Sequence, residues 1–244
     1  MLDILYRDDQ LIAVHKPAGL LVHRSEIDRH ETRFAIQLLR DQIGQKVWPV
    51  HRLDRGTSGV LLFALEREAL IAASRAFENN EVDKAYLAVV RGWPAESGVI
   101  DYALSRQYDD YERRPAGATS EAQAAITRFE RLTTVELPIA VDRYPTSRYA
   151  LLRLHPETGR RHQIRRHLKH IAHPVIGDST HGKGIHNRMF AEHFGCQRML
   201  LACTAMRLRH PVTGADLLLE TPLDEDFSAL LGALGWSASV AVSA

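Results

Sequence analysis

The sequence predicts an α+β fold, a mixed and mainly antiparallel sheet flanked by helices and loops. Strand-like and helix-like segments follow one another without strict βαβ alternation. At 244 residues the chain is long enough to bury a sizeable core. Its apolar fraction of 45% and charged fraction of 25% are those of an ordinary soluble globular protein. A single domain over residues 1–235 is expected. A tail from 236 to 244 follows, expected to fray because its end, Ala238 to Ala244, is small and featureless.

The elements can be justified in order. Leu11-Ile12-Ala13-Val14-His15-Lys16 reads as a strand, stopped by Pro17-Ala18-Gly19. Residues 32–43 carry Phe34, Ile36, Leu38, Leu39 and Ile43 at helical spacing, and Gly44 suits the position just past a helix end. The apolar run Val60 to Leu65 is a strand, and Glu66 to Ala73 begins a helix that ends near Asn79-Asn80. Tyr86 to Val90 looks like a buried strand. Residues 105–120 are polar, carry Pro115 and Gly117, and read as an exposed loop or insertion. Strands are expected at 124–130 and 149–155, the second leading through a Thr158-Gly159 turn into a helix from Arg160. His173-Pro174 ends that helix, because a residue before proline avoids the helical region. A strand near Leu217 to Glu220 and a short helix after Pro222 complete the chain.

Composition excludes several classes. Two cysteines, Cys196 and Cys203, are too few for a disulfide framework and suit a reducing compartment. The first residues, Met1 to Arg7, have neither a basic start nor a long apolar core, so no signal peptide is evident. No apolar run approaches the length of a bilayer span. A cytoplasmic protein is expected. There is no phosphate-binding glycine loop, no dinucleotide fingerprint after a strand and no C-x-x-C.

The densest chemistry lies in His51-Arg52-Leu53-Asp54-Arg55-Gly56-Thr57-Ser58-Gly59. One carboxylate, Asp54, stands between two guanidinium groups, and flanking cations keep a carboxylate ionised, as a nucleophile requires. The same residue types also occur in surface turns whose aspartate pairs with arginine for register. Net charge is only +1, yet residues 160–170 hold five lysines or arginines and no acid. Clustering of this kind is the electrostatic footprint expected of a nucleic-acid site on a near-neutral protein. In that helix Ile164, Leu168 and Ile171 form the apolar stripe, while Arg161, Arg165 and Lys169 line another face. One of that row can reach a carboxylate while its neighbours meet phosphates, and the bland reading is a solvated face.

Tyr86 has an aromatic face suited to stacking on a base and a hydroxyl able to move a proton, although a tyrosine at a strand start is commonly a packing residue. Of the 13 histidines, His167, His170 and His173 repeat every three residues. Neighbouring Arg165, Arg166 and Lys169 repel a cation there, so no metal is assigned.

The Asp54 segment closely resembles the H-R-L-D-x-x-T-S-G signature of the RluA-type RNA pseudouridine synthase family. Three other segments resemble it as well: Thr158-Gly159-Arg160-Arg161-His162-Gln163-Ile164-Arg165, Lys84-Ala85-Tyr86, and His173-Pro174-Val175-Ile176-Gly177-Asp178. So does Lys16-Pro17-Ala18-Gly19, and the resemblance covers positions from about 11 to 214. It implies a pseudouridine synthase fold without an S4-like domain, since the pattern starts almost at Met1. It implies an isomerase that needs no cofactor and no obligate protein partner. Asp54 becomes the catalytic carboxylate, Arg165 its ion-pair partner and Tyr86 the residue over the target uracil. Arg52, Arg55, Arg160, Arg161, Arg166 and Lys169 become candidate RNA contacts.

Four stretches, including Arg143-Tyr144-Pro145-Thr146-Ser147-Arg148-Tyr149 and Ala191-Glu192-His193-Phe194-Gly195, are similar to the branch that modifies uridine 65 in the T stem of tRNA. One departure stands out. Relatives often read L-H-A where this chain has Leu201-Ala202-Cys203, which implies that any packing or RNA contact of that histidine is lost. Other readings are a synthase acting on ribosomal RNA, a non-catalytic RNA-binding or chaperone module, and a metal-dependent hydrolase using Asp54 and the histidines.

Overall fold

The computed structural model describes residues 1–23, 31–105 and 121–236. In chain order its elements are β1 (Asp3–Arg7), β2 (Leu11–Lys16), α1 (Ala35–Ile43), β3 (Trp48–Pro49), β4 (Ser58–Ala64), α2 (Arg67–Glu78) and β5 (Asp83–Arg91). Then come β6 (Ser97–Asp101), β7 (Leu104–Ser105), β8 (Ala122–Gln123), β9 (Ile126–Leu137), β10 (Ser147–Pro156) and α3 (Gln163–His170). The last are α4 (Gly184–Phe194), β11 (Leu201–Arg209), β12 (Asp216–Glu220) and α5 (Glu225–Ala233).

The main sheet runs β1-β2-β4-β11-β5-β10-β9-β6, with β12 on β11 and β3 on β4; β7 and β8 pair separately. Its pairings are antiparallel except β4 with β11, which are parallel through Ala202↔Ser58 and Cys203↔Gly59. The mixed, mainly antiparallel α+β architecture read from the sequence is the one observed.

The central strands β4 and β5 are buried on both faces, which explains their nearly continuous apolar runs. Alternation then sorts side chains between two cores. Tyr86, Ala88 and Val90 of β5 join one cluster with Ala150, Leu152 and Cys203, beside α1, α2 and α3. Leu87 and Val89 join the other with Tyr149, Leu151, Ala202 and Phe227, beside α4 and α5. No helix among the described residues is long and apolar enough to cross a membrane.

Several boundaries differ from the sequence reading. The basic helix starts at Gln163 rather than Arg160, because His162 adopts a left-handed conformation (φ 54°) that no helix can include. Arg161 therefore lies in the turn before α3, and the row Arg161, Arg165, Lys169 is not one helix face. The helix closes at His170, ahead of His173-Pro174. Ala172 turns left-handed (φ 64°), and the amides of His173 and Ala172 return to Leu168 O and Lys169 O at 2.8 and 3.0 Å. Trp236, placed at the head of the fraying tail, is instead buried, with its indole N–H on Thr134 O at 3.3 Å. Residues 237–244 lie outside the described residues, as does all of the expected 105–120 loop beyond Ser105. The strand expected at 124–130 continues to Leu137. Seven elements, β1, β3, β6, β7, β8, α4 and β11, were not expected from the sequence.

Candidate active site

The site forms where β4 and β11 run parallel. Asp54 lies in the turn feeding β4, closed by the Thr57 amide on the Asp54 carbonyl at 3.0 Å. Gly59 then lets β4 pass close to β11. Its φ is 111°, and a Cβ there would overlap the Cys203 carbonyl oxygen. Asp54, Arg52, Arg55 and Arg161 are among the residues lining a cleft of about 520 Å³ at this point.

The Asp54 side chain is 26% exposed, and its Oδ2 accepts from Arg165 Nη1 at 2.8 Å. The two residues are 111 positions apart. Arg165 is only 8% exposed and reaches the other way as well: Nε donates to Asp178 Oδ2 at 2.7 Å and Nη2 to Asp178 Oδ1 at 2.8 Å. Asp178 Oδ1 also accepts the backbone amides of Thr180 and His181, each at 2.9 Å. Burial opposes charge on Arg165, but its two carboxylates outweigh that and raise its pKa. Burial likewise works against ionised Asp178, and the Arg165 and backbone hydrogen bonds still hold it below the usual aspartate value. The guanidinium is thus clamped between a dry anchor and a partly wet carboxylate.

Asp178 reaches Arg165 because of Gly177, left-handed at φ 79° and packed where a Cβ would overlap the Arg198 carbonyl. Asp178 ends the His173-Pro174-Val175-Ile176-Gly177-Asp178 run, for which the resemblance implies no role. An acid with no cation beside it in sequence gave no cue to its partner.

Two further charged groups brace the loops around Asp54. Lys16 is fully buried, and Nζ donates to the carbonyls of Pro17, Leu20 and Arg55 at 3.0, 2.8 and 3.2 Å. Burial pushes its pKa down to about 7, against the pull of Asp54. Arg198 bonds Ser58 Oγ through Nη2 at 2.7 Å and pairs through Nη1 with Asp224 and Asp226. Asp224 in turn meets His15 Nε2 at 2.6 Å. Through Arg198 the Thr57-Ser58-Gly59 segment is tied to the start of α5.

Tyr86 lies on β5 opposite Cys203 and is buried, 9% exposed, and it is not among the residues lining the cleft. Burial first, then Cys203 and the Asp54 charge, raise its pKa well above 10. Of the candidate RNA contacts, Arg52, Arg55 and Arg161 line the cleft, with Arg55 paired to Glu31. Arg160, Arg166 and Lys169 do not line it: Arg160 Nε bonds Ala124 O at 3.1 Å, Arg166 bonds Ser105 O and Oγ at 3.0 Å, and Lys169 is exposed.

The three spaced histidines part company. His167 bonds Thr127 Oγ1 and Tyr102 O, His170 stacks on Tyr102 at 3.7 Å, and His173 bonds Arg91 O. Among the described residues, no group of three or more His, Cys, Asp or Glu is arranged to hold a metal ion. Ala202, where relatives often have histidine, is a core position between Ser58 and Leu87. A side chain there faces the protein interior, so the departure concerns packing and not an RNA contact.

Known proteins share this arrangement of segments. The family model for RNA pseudouridylate synthase matches residues 10–170. A tRNA pseudouridine synthase C from Vibrio cholerae is 49% identical over 244 residues, all of both chains. One from Yersinia pestis is 50% identical over 237 residues, 97% of this chain and 92% of that one. The solved structure of human RNA pseudouridylate synthase domain containing 1 matches with a TM-score of 0.69 at 25% identity, covering 94% of this chain and 87% of the other. Human RNA pseudouridylate synthase domain containing 4, at 24% identity and a TM-score of 0.69, has the same fold. The matched segment contains Asp54, Tyr86 and Arg165, and the bacterial relatives agree across nearly the whole length. The chain belongs to the RNA pseudouridylate synthase family.

Proposed function

We propose that this protein isomerises a uridine of tRNA to pseudouridine, at position 65 in the T stem, with Asp54 as the catalytic carboxylate. The observation that carries the reading is the chain Asp54–Arg165–Asp178. It leaves one carboxylate, oriented by a clamped guanidinium, facing an open cleft. The naming of the Vibrio and Yersinia relatives as tRNA pseudouridine synthase C supports the substrate class.

The reaction breaks the N1–C1′ bond, turns the base and joins C5 to C1′. Nothing is oxidised and no group comes from a donor. Asp54 adds to the ring or to C1′, or removes a ribose proton to give a glycal. Tyr86, kept neutral by burial, suits packing beneath the freed uracil better than acting as a standing phenolate. A paired stem uridine must first be flipped out, at a cost of a few kcal/mol. Arg52, Arg55 and Arg161 at the cleft, and Arg160, Arg166 and Lys169 outside its lining, offset that cost through phosphate contacts.

The test is carbodiimide-primer-extension mapping on unmodified tRNA, comparing wild type with Asp54→Asn. A single stop in the T stem that only wild type produces is the expected result. A stop elsewhere corrects the position. Modification of ribosomal RNA alone replaces the substrate, and normal turnover by Asp54→Asn removes the carboxylate from the mechanism.

A further inference from the structure

On the side of Asp54 away from Arg165 stands a residue that the proposed chemistry has not used. His162 lines the cleft, and its Nε2 is 3.9 Å from Asp54 Oδ1, the carboxylate oxygen that Arg165 does not hold. Its Nδ1 is 3.1 Å from His181 Nε2, with the two rings edge-on at 5.3 Å. Its backbone is left-handed (φ 54°), a conformation that costs free energy in any residue but glycine and that tends to persist at functional sites.

The pair of histidines has a preferred proton arrangement. One N–H must lie between the rings. If His162 supplied it, the lone pair on its Nε2 would face the Asp54 carboxylate, a repulsive arrangement. If His181 supplies it, His162 presents Nε2–H toward Asp54, which attracts it. Burial, joined by neighbouring cations, outweighs the upward pull of the Asp54 charge and pushes the His162 pKa down to about 4, and burial lowers that of His181 also. The rings are therefore neutral at pH 7, and His162 carries one N–H aimed into the cleft.

The separation of 3.9 Å is too long for a direct hydrogen bond. It admits a hydroxyl oxygen at about 2.8 Å from both atoms, accepting from Nε2–H and donating to Oδ1. We infer that His162, oriented by His181, binds the 2′-hydroxyl of the target ribose between itself and Asp54. In the routes that engage the ribose, Asp54 acts on C1′ or on the C2′ proton, and the 2′-oxygen is one or two bonds away. The same contact lets the site distinguish ribose from deoxyribose. His162 is then a substrate-contacting residue and His181 a positioning residue. The inference rests on the pseudouridine synthase reading above.

The experiment is a double comparison: wild type and His162→Asn, each with tRNA carrying uridine or 2′-deoxyuridine at the target position alone. Asparagine tolerates the left-handed backbone but falls short of the cleft, and a thermal melt checks that the variant is folded. Single-turnover rates and dissociation constants are both measured. For wild type, loss of the 2′-hydroxyl should slow turnover by about tenfold to a hundredfold, the effect of one hydrogen bond to a charged partner. His162→Asn should be slowed on uridine by a similar factor and lose less than about threefold more on 2′-deoxyuridine. His181→Phe should also shrink the wild-type discrimination while leaving RNA affinity within about threefold. If the two losses instead multiply in His162→Asn, by rate and by affinity, His162 does not touch that hydroxyl. Failure of wild type to convert the uridine-containing tRNA is a separate outcome, and it defeats the underlying reading.

Discussion

Replacing Asp178 by asparagine isolates what holds Arg165. The variant keeps the shape of the side chain and loses its charge. Oδ1 can still accept from Arg165 Nη2 and from the Thr180 and His181 amides, but the new NH₂ then faces Arg165 Nε, donor against donor. Among the described residues, the buried guanidinium then keeps Asp54 alone as counter-ion, through a single bond at 2.8 Å. Removing one partner of a buried ion pair costs about 3–5 kcal/mol, and the retained amide bonds favour the lower end, about 3 kcal/mol. For a chain of this size that corresponds to a fall in Tm of about 6–12 °C.

The pH dependence follows from linkage. The folded-state pKa of Asp178 lies below its ordinary 3.8, so its stabilisation is complete above that value and is lost as pH falls through the folded pKa. The gap between wild type and Asp178→Asn should therefore stay constant from pH 7 to about 5 and close only below about 4. Urea melts across this range measure it, and single-turnover kinetics at pH 7 should show a loss of about a hundredfold from a misplaced Arg165. A variant melting within about 2 °C of wild type and turning over normally would refute the clamp.

Two other consequences are open to direct measurement. Gly177→Ala should destabilise the fold by about 2 kcal/mol or more, because the new Cβ must occupy a left-handed position already filled by the Arg198 backbone; an unchanged urea midpoint would deny the close approach. Arg52→Ala and Arg161→Ala should each lower the slope of log affinity for tRNA against log salt by about 1, since both line the cleft, whereas Lys169→Ala should change it less. An effect at Lys169 equal to those at Arg52 and Arg161 would extend the phosphate contacts from the cleft along α3.

How much was legible in the sequence depended on whether the cause was local. The apolar run of β4, the amphipathic spacing of α1 and the glycine at its end are local facts, and each element appears where they put it. The strand β11 was missed because its first six residues, Leu201 to Met206, are buried almost throughout on both faces and carry no periodic signal, and the alternation is confined to its last four, Met206 to Arg209. The start of α3 was misjudged because a left-handed histidine is not written in residue types. It is held by contacts with His181 and the cleft wall, which belong to other segments.

The site divides along the same line. Asp54, Arg165 and Tyr86 were found through contiguous motifs, and the pairing of Asp54 with Arg165 came with the family resemblance. Asp178, Lys16 and His162 lie in segments that carry the resemblance and Arg198 in none, and nothing in those stretches shows what they touch. Their roles come from packing: Gly177 brings Asp178 beneath Arg165, and Gly59 brings β4 against β11. The sequence by itself determined the fold class and which residues are proposed to carry the chemistry, because periodicity and motif are properties of neighbouring residues. Only the tertiary structure decided which acids share one guanidinium and which basic residues face the cleft. Those are distances between segments more than a hundred residues apart, and only the packing of strands and loops sets them.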